Sequence, residues 1–180
     1  MKYTIAKDFN FCYGHRVYTQ QLDAEFSIDS ACKCRHLHGH EGLIRIHLSA
    51  DELTNGMVTD FKHLNWFKKW LDETLDHKFI MGVEDPLLFF EAPILLANLH
   101  GRLIIKSEGH SVIDPTCYAS ELSSLQEKYE GMVFVPFVPT SENMSKWIYD
   151  IVQKKMKPLN VTVDSVQFYE TPKSQSIYSV

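Results

Sequence analysis

The stretch Cys32-Lys33-Cys34-Arg35-His36-Leu37-His38-Gly39-His40 sets two cysteines and three histidines within nine residues. These side chains are strong transition-metal ligands, and a cysteine also supplies a base or nucleophile. His38 and His40 lie two positions apart, so on an extended strand both project from one face. They can then share a single ion without any turn in the chain. Three imidazoles around zinc leave one coordination position open, the arrangement of a catalytic site. The third nitrogen must come from elsewhere, and His15 is the first candidate. Two other readings stay open on these residues alone. Cys32, Cys34, His38 and His40 together make a closed Cys2His2 set, a non-enzymatic structural zinc module. The plainest alternative is a polar loop that holds no metal.

Residues 3–15 support the choice of His15. Tyr3, Ile5, Phe9, Phe11, Tyr13 and His15 fall on one face and Thr4, Asp8 and Asn10 on the other. This is the period-two pattern of a half-buried strand, with His15 in line with the core-facing rings. A hydrogen-bonded core histidine is the competing reading of His15. Residues 19–33 are polar and irregular, a loop that delivers the Cys/His cluster. The alternation returns from His38, with His40, Ile44, Ile46 and Leu48 on its face and Leu43, Arg45 and His47 opposite. Two strands bearing histidine toward the same side can bring three imidazoles together.

Asn55-Gly56 marks a turn. Thr59 or Asp60 caps a helix that runs to about Leu75, with Leu64, Phe67, Leu71 and Leu75 as its apolar stripe. Asp76-His77 follows at its C-terminal end. Thr140 or Ser141 caps a second helix, in which Met144, Trp147, Ile148, Ile151, Val152 and Met156 follow the helical period until Pro158 ends it. Val161–Thr171 reads as a strand with Val166, Phe168 and Glu170 on one face. A carboxylate in line with a buried face is costly unless it meets a partner or a ligand. Ile177–Val180 makes the last strand. Residues 79–138 are broken by Pro86, Pro93, Pro115 and Pro136. There, Leu95–Ile105 reads as a hairpin about His100-Gly101, Ala119–Tyr129 as a short helix, and Met132–Val138 as a strand. His100, His110 and Cys117 read as incidental. The order predicts one α+β domain over residues 1–180. Its antiparallel sheet carries both helices on one face, with a long insertion at about 80–138.

With 180 residues, 44% apolar and 12% aromatic, the chain is long enough and apolar enough for a real core. Its net charge of −5 gives no electrostatic footprint for nucleic acid or anionic lipid. No run of about 18 apolar residues predicts a membrane span, and MKYTIAKDF reads as a strand rather than a signal peptide. The expectation is a cytoplasmic protein whose Cys12, Cys32, Cys34 and Cys117 are reduced thiols.

Six motifs then occur in order: Phe9-x-Phe11-x-x-x-His15-Arg16; Cys34-x-x-Leu37-His38-Gly39-His40; Gly56-Met57-Val58-x-Asp60-Phe61; Leu75-Asp76-His77; Pro139-Thr140-Ser141-Glu142-Asn143; and Glu170-Thr171. Over residues 3–80 and 139–180 the chain resembles the 6-pyruvoyltetrahydropterin synthase / 6-carboxytetrahydropterin synthase family. The resemblance implies a tunnelling-type fold, a four-stranded antiparallel sheet with two helices. It implies a homo-oligomer, trimer or hexamer, with active sites at subunit boundaries. It implies Zn2+ held by His15, His38 and His40, Cys34 as the catalytic thiol, and Asp76-His77 as its proton relay. Glu170, with Thr171 beside it, would hold the pterin ring. The small-molecule substrate implied is 7,8-dihydroneopterin triphosphate. The product implied is 6-carboxytetrahydropterin, toward deazapurines such as queuosine, with 6-pyruvoyltetrahydropterin as the alternative. Two features depart from the family pattern. Cys32 has the spacing of animal pyruvoyl-forming enzymes and Cys34 that of bacterial carboxy-forming ones, although the full string favours Cys34. The linker after Asp76-His77 is also much longer than the family's usual connection.

Overall fold

The computed structural model describes residues 2–180. The two alternating segments form the longest strands, β1 (Tyr3–His15) and β2 (His38–Ala50). Phe9, Phe11, Tyr13 and His15 are buried on β1, as are Ile44, Ile46 and Leu48 on β2, which is what a period of two requires. Asn55 and Gly56 both take positive φ, 53° and 78°, and reverse the chain between Thr54 and Met57. Asp60 then caps the next segment, its carboxylate accepting from the Lys62 N–H at 2.7 Å. That segment opens as a 3-10 turn over Phe61–Leu64 before α1 (Asn65–Thr74), so the expected single helix has a tighter first turn.

The chain continues through β3 (Lys78–Gly82), α2 (Leu88–Glu91), β4 (Leu103–Ile105), β5 (Ser111–Ile113), α3 (Ser123–Glu130) and β6 (Met132–Val135). It ends with α4 (Ser141–Met156), β7 (Thr162–Thr171) and β8 (Ser174–Ser179). The strands form one eight-stranded sheet in the order β4-β5-β6-β3-β1-β2-β7-β8. Pairings β1–β3 and β3–β6 are parallel, whereas β2–β7, β7–β8, β4–β5 and β5–β6 are antiparallel. The expected four-stranded antiparallel sheet is therefore corrected to a mixed sheet of eight. The region read as an insertion supplies the difference. Its central strands are short and closed in on both sides, so they read as continuous apolar runs without alternation: Met132–Val135 is buried at every position. The expected hairpin at His100-Gly101 is likewise displaced. His100–Arg102 is a 3-10 turn, and the real hairpin joins β4 to β5 through Gly109, whose φ is 88°.

The chain divides into two compact units. The first comprises Met1–Cys12, His40–Asp76 and Ser141–Val180. In it α1 and α4 meet through Trp70 and Trp147, ring centroids 5.6 Å apart, Phe67 of α1 packs edge-on to Phe9 at 4.9 Å, and Phe11 reaches Phe168 at 5.9 Å. The second comprises Tyr13–Gly39 and His77–Thr140. Its core gathers Met81, Leu88, Leu95, Ile113, Tyr129 and Phe134. No described helix is long and apolar enough to cross a membrane. No disulfide joins the cysteines among the described residues.

Candidate metal centre and active site

His15 closes the aromatic face of β1 and is 1% exposed; His38 and His40 open β2 and are half-buried. One ring nitrogen from each lies within 4.8 Å of the other two. The His15 and His38 rings are 4.7 Å apart between centroids and inclined at 53°. Two backbone carbonyls orient these rings. His15 Nδ1 lies 2.7 Å from the Pro139 carbonyl oxygen, and His38 Nδ1 lies 2.7 Å from that of His36. A carbonyl oxygen can only accept, so each Nδ1 carries the proton and each Nε2 presents a lone pair. That is the arrangement in which histidines bind a metal, with ring tilt and tautomer fixed from behind. The donor set therefore fits a zinc ion. Gly39, between the two β2 histidines, lies close to β1: a Cβ there would stand 3.1 Å from the Tyr13 carbonyl oxygen. The group containing His38 and His40 is completed by His15, not by Cys32 or Cys34.

Cys32 and Cys34 flank a 3-10 turn over Lys33–Arg35. The Val17 N–H donates to the Cys34 carbonyl at 2.8 Å, which fastens this turn beside the residues that follow His15. The Cys32 thiol donates to Gln20 Oε1 at 2.9 Å.

Asp76 and His77 stand between α1 and β3. Asp76 accepts the Cys12 backbone N–H at 2.8 Å, and His77 has a left-handed φ of 58°. Such a backbone is uncommon outside glycine, and it turns the chain directly from helix to strand. Cys12 Sγ, an Asp76 carboxylate oxygen and a His77 ring nitrogen form a second group within 4.8 Å of one another. Cys34 belongs to neither group.

Glu170 and Thr171, both half-buried, end β7. Tyr169 pairs with Gln175 and Thr171 with Ser174, so Glu170 is the extra residue of a β-bulge. A bulge re-aims the side chain it carries. The bulge falls at the end of the alternation that puts Glu170 in line with Val166 and Phe168.

Sequence reasoning missed a buried ion pair at the residue after His15. Arg16 Nε lies 3.3 Å from Asp85 Oδ2, with side chains 11% and 0% exposed. The other Asp85 oxygen accepts from the Leu87 N–H at 2.8 Å. The pair ties the residue after His15 to the turn after β3. Losing one partner of such a pair costs about 3–5 kcal/mol. Nearby, burial pushes the Tyr18 hydroxyl pKa up, reinforced by Glu84 and Asp85. Arg16 was visible in its motif, but nothing in the spacing named Asp85 as its partner. Cys12 was missed because it lies on the polar face of β1.

A family model described as 6-pyruvoyl tetrahydropterin synthase matches residues 4–180. The chain is 31% identical to the 6-carboxy-5,6,7,8-tetrahydropterin synthase of Aquifex aeolicus, over 99% of this chain and 98% of that protein. It is 27% identical to the protein of the same name from Rickettsia conorii, over 90% and 89%. Among solved structures, the uncharacterized protein WS1659 from Wolinella succinogenes is 46% identical with a TM-score of 0.97, over 99% of this chain and 98% of that one. The 6-pyruvoyl tetrahydropterin synthase of Caenorhabditis elegans shares the fold at 18% identity and a TM-score of 0.56, over 100% and 96%.

Proposed function

The chain belongs to the 6-pyruvoyl tetrahydropterin synthase family, and from that premise we propose that it is a zinc-dependent pterin lyase that converts 7,8-dihydroneopterin triphosphate to 6-carboxytetrahydropterin. The observation that carries this reading is the three-histidine cluster, with two of its rings held by peptide carbonyls. Relatives named for the carboxy product favour it over the pyruvoyl product.

His15, His38 and His40 would hold the zinc. When bound, the ion supplies Lewis acidity toward the oxygens of the substrate side chain. The rest of the work falls to the chain's own residues. Protons must be removed at side-chain carbons that are poor acids, and Cys34 is the base we assign to that removal. His77 returns or relays the proton, and Asp76 holds the imidazole and stabilises its charged form. Glu170 accepts two hydrogen bonds from the amino and ring N–H groups of the pterin, a contact of fixed geometry, with Thr171 beside it. Leaving those donors unmatched would cost about 1–3 kcal/mol.

A homo-oligomer with its site at a subunit boundary accounts for Cys34 standing outside the Asp76-His77 group: the relay of one copy serves the thiol of another. The same reading places the protein in the cytoplasm, in deazapurine synthesis. Incubating zinc-loaded protein with 7,8-dihydroneopterin triphosphate and identifying the product by mass tests the proposal. The carboxy product is expected. The pyruvoyl product would move the chain to the other activity of its family, and no consumption of substrate would remove both.

A further inference from the structure

Cys12 projects from the exposed side of β1, between the buried Phe11 and Tyr13. Its own N–H donates to Asp76 at 2.8 Å, so the carboxylate is pinned to the strand from which the thiol emerges. His77 is the next residue, with a left-handed backbone of φ 58°. Thiol, carboxylate and imidazole donors lie within 4.8 Å of one another, and none of them belongs to the histidine cluster.

We propose that Cys12, Asp76 and His77 form a second site, for a soft divalent cation such as zinc, and that filling it withdraws His77 from proton transfer. All three side chains are ordinary zinc ligands, and three protein donors leave one position for water. A sulfur donor selects zinc or cobalt over magnesium and calcium. Bonds of about 2.0–2.3 Å would place the donors roughly 3.5 Å apart. Cys12 and His77 are exposed, which leaves their side chains room to rotate toward that spacing. On binding, the thiol proton leaves to solvent and a sulfur–metal bond forms, with no change of oxidation state. The site itself stands on this geometry. Only its effect on turnover rests on the reading of His77 as the relay.

Cobalt(II) separates the two sites by spectroscopy, because a thiolate ligand adds a near-ultraviolet charge-transfer band that histidines do not. The full-length protein is titrated with cobalt(II) alone. The first equivalent is expected to bind without that band and the second to bring it. Cys12→Ser should lose the band and the second equivalent and keep the first, while Cys34→Ser keeps both. Uptake of one equivalent only, or a second equivalent retained by Cys12→Ser, overturns the site. Alkylation of the native protein, mapped to Cys12 by mass, gives a measure that needs no variant. The second equivalent should slow it at least tenfold, and an unchanged rate overturns the site as well. Turnover should fall at least tenfold between one and two equivalents of zinc in the unmodified protein and hold steady in Cys12→Ser. If the second equivalent binds as described and turnover does not fall, the relay assignment of His77 is wrong and the site stands. A protein that turns over no pterin at any zinc level would sink the proposed function and leave the cobalt result intact.

Discussion

The histidine cluster completes the buried side of β1, and the Cys12 cluster stands three residues earlier on its exposed side. In the first, peptide carbonyls at Pro139 and His36 set ring tilt and tautomer before any ligand arrives. In the second, one backbone N–H fixes one carboxylate, and the thiol and imidazole must rotate into place. The difference is one of preorganisation. A site whose donors are already ordered loses little freedom on binding, so it binds more tightly for the same number of ligands. That contrast matches the roles proposed for them, a resident ion at the first and proton transfer with a transient ion at the second.

The sharpest way to break this contrast is His38→Ala, the change of largest effect. It should remove stoichiometric zinc and take turnover to background, as metal analysis and a product assay will read. Full metal in that variant would end the assignment of the histidine cluster. Next come changes that should leave that metal in place. Cys34→Ala is expected to lower kcat by about 10²–10⁴ with zinc content unchanged, and Cys32→Ala to be mild. The reverse pattern would transfer the role of base to Cys32. Asp76→Asn keeps an acceptor for the Cys12 N–H but removes the charge beside His77. It should lower kcat by roughly 10²-fold, again with zinc retained. Loss of zinc in this variant would mean the two clusters are not separable.

Gly39→Ala acts through the backbone. Its new Cβ would meet the Tyr13 carbonyl at 3.1 Å and push apart the strands that align the histidines. Zinc affinity should fall about tenfold, the lower end of what disturbing ligand orientation costs. Equilibrium dialysis against a chelator measures it. The smallest effect belongs to Asp8, on the same strand and far from either cluster in function. The Arg45 guanidinium donates to both of its oxygens at 2.7 Å and holds its carboxyl below the ordinary 3.8. A lowered carboxylate pKa contributes stability above the unfolded value, and that stability is lost as pH falls through the folded one. The pair is well exposed, so Asp8→Asn should cost less than about 1 kcal/mol at neutral pH. In urea melts the gap to the parent should close as the pH is taken below 3.8. Zinc content should not move.

The legible parts of this molecule are those where one face is buried and the other wet. β1 and β2 announce themselves by alternation, α1 and α4 by their stripes, and the turn at Asn55-Gly56 by its residues. The histidine cluster followed, because ligand spacing on a strand is a matter of parity. β3 was not legible: Lys78–Gly82 starts immediately after His77, and its last three residues are buried on both faces. Periodicity has nothing to report in such a strand. The parallel pairing of Tyr13 with Lys78 was invisible for the same reason, and with it half of the sheet. The second cluster failed to show for a different reason. Cys12 and Asp76 are far apart in sequence, and only the fold makes them neighbours.

The bulge at Glu170 separates two things that a regular ladder would couple. The register of β7 against β8 shifts between Tyr169 and Thr171, directly before the short reversal at Pro172-Lys173, whereas Phe168 still pairs in step with Ser176. On the role proposed for Glu170, recognition of the ring and cohesion of the interior fall on opposite sides of that shift. That proposed role predicts that altering which heterocycle is accepted calls for rebuilding that reversal first and leaving the aromatic layer alone.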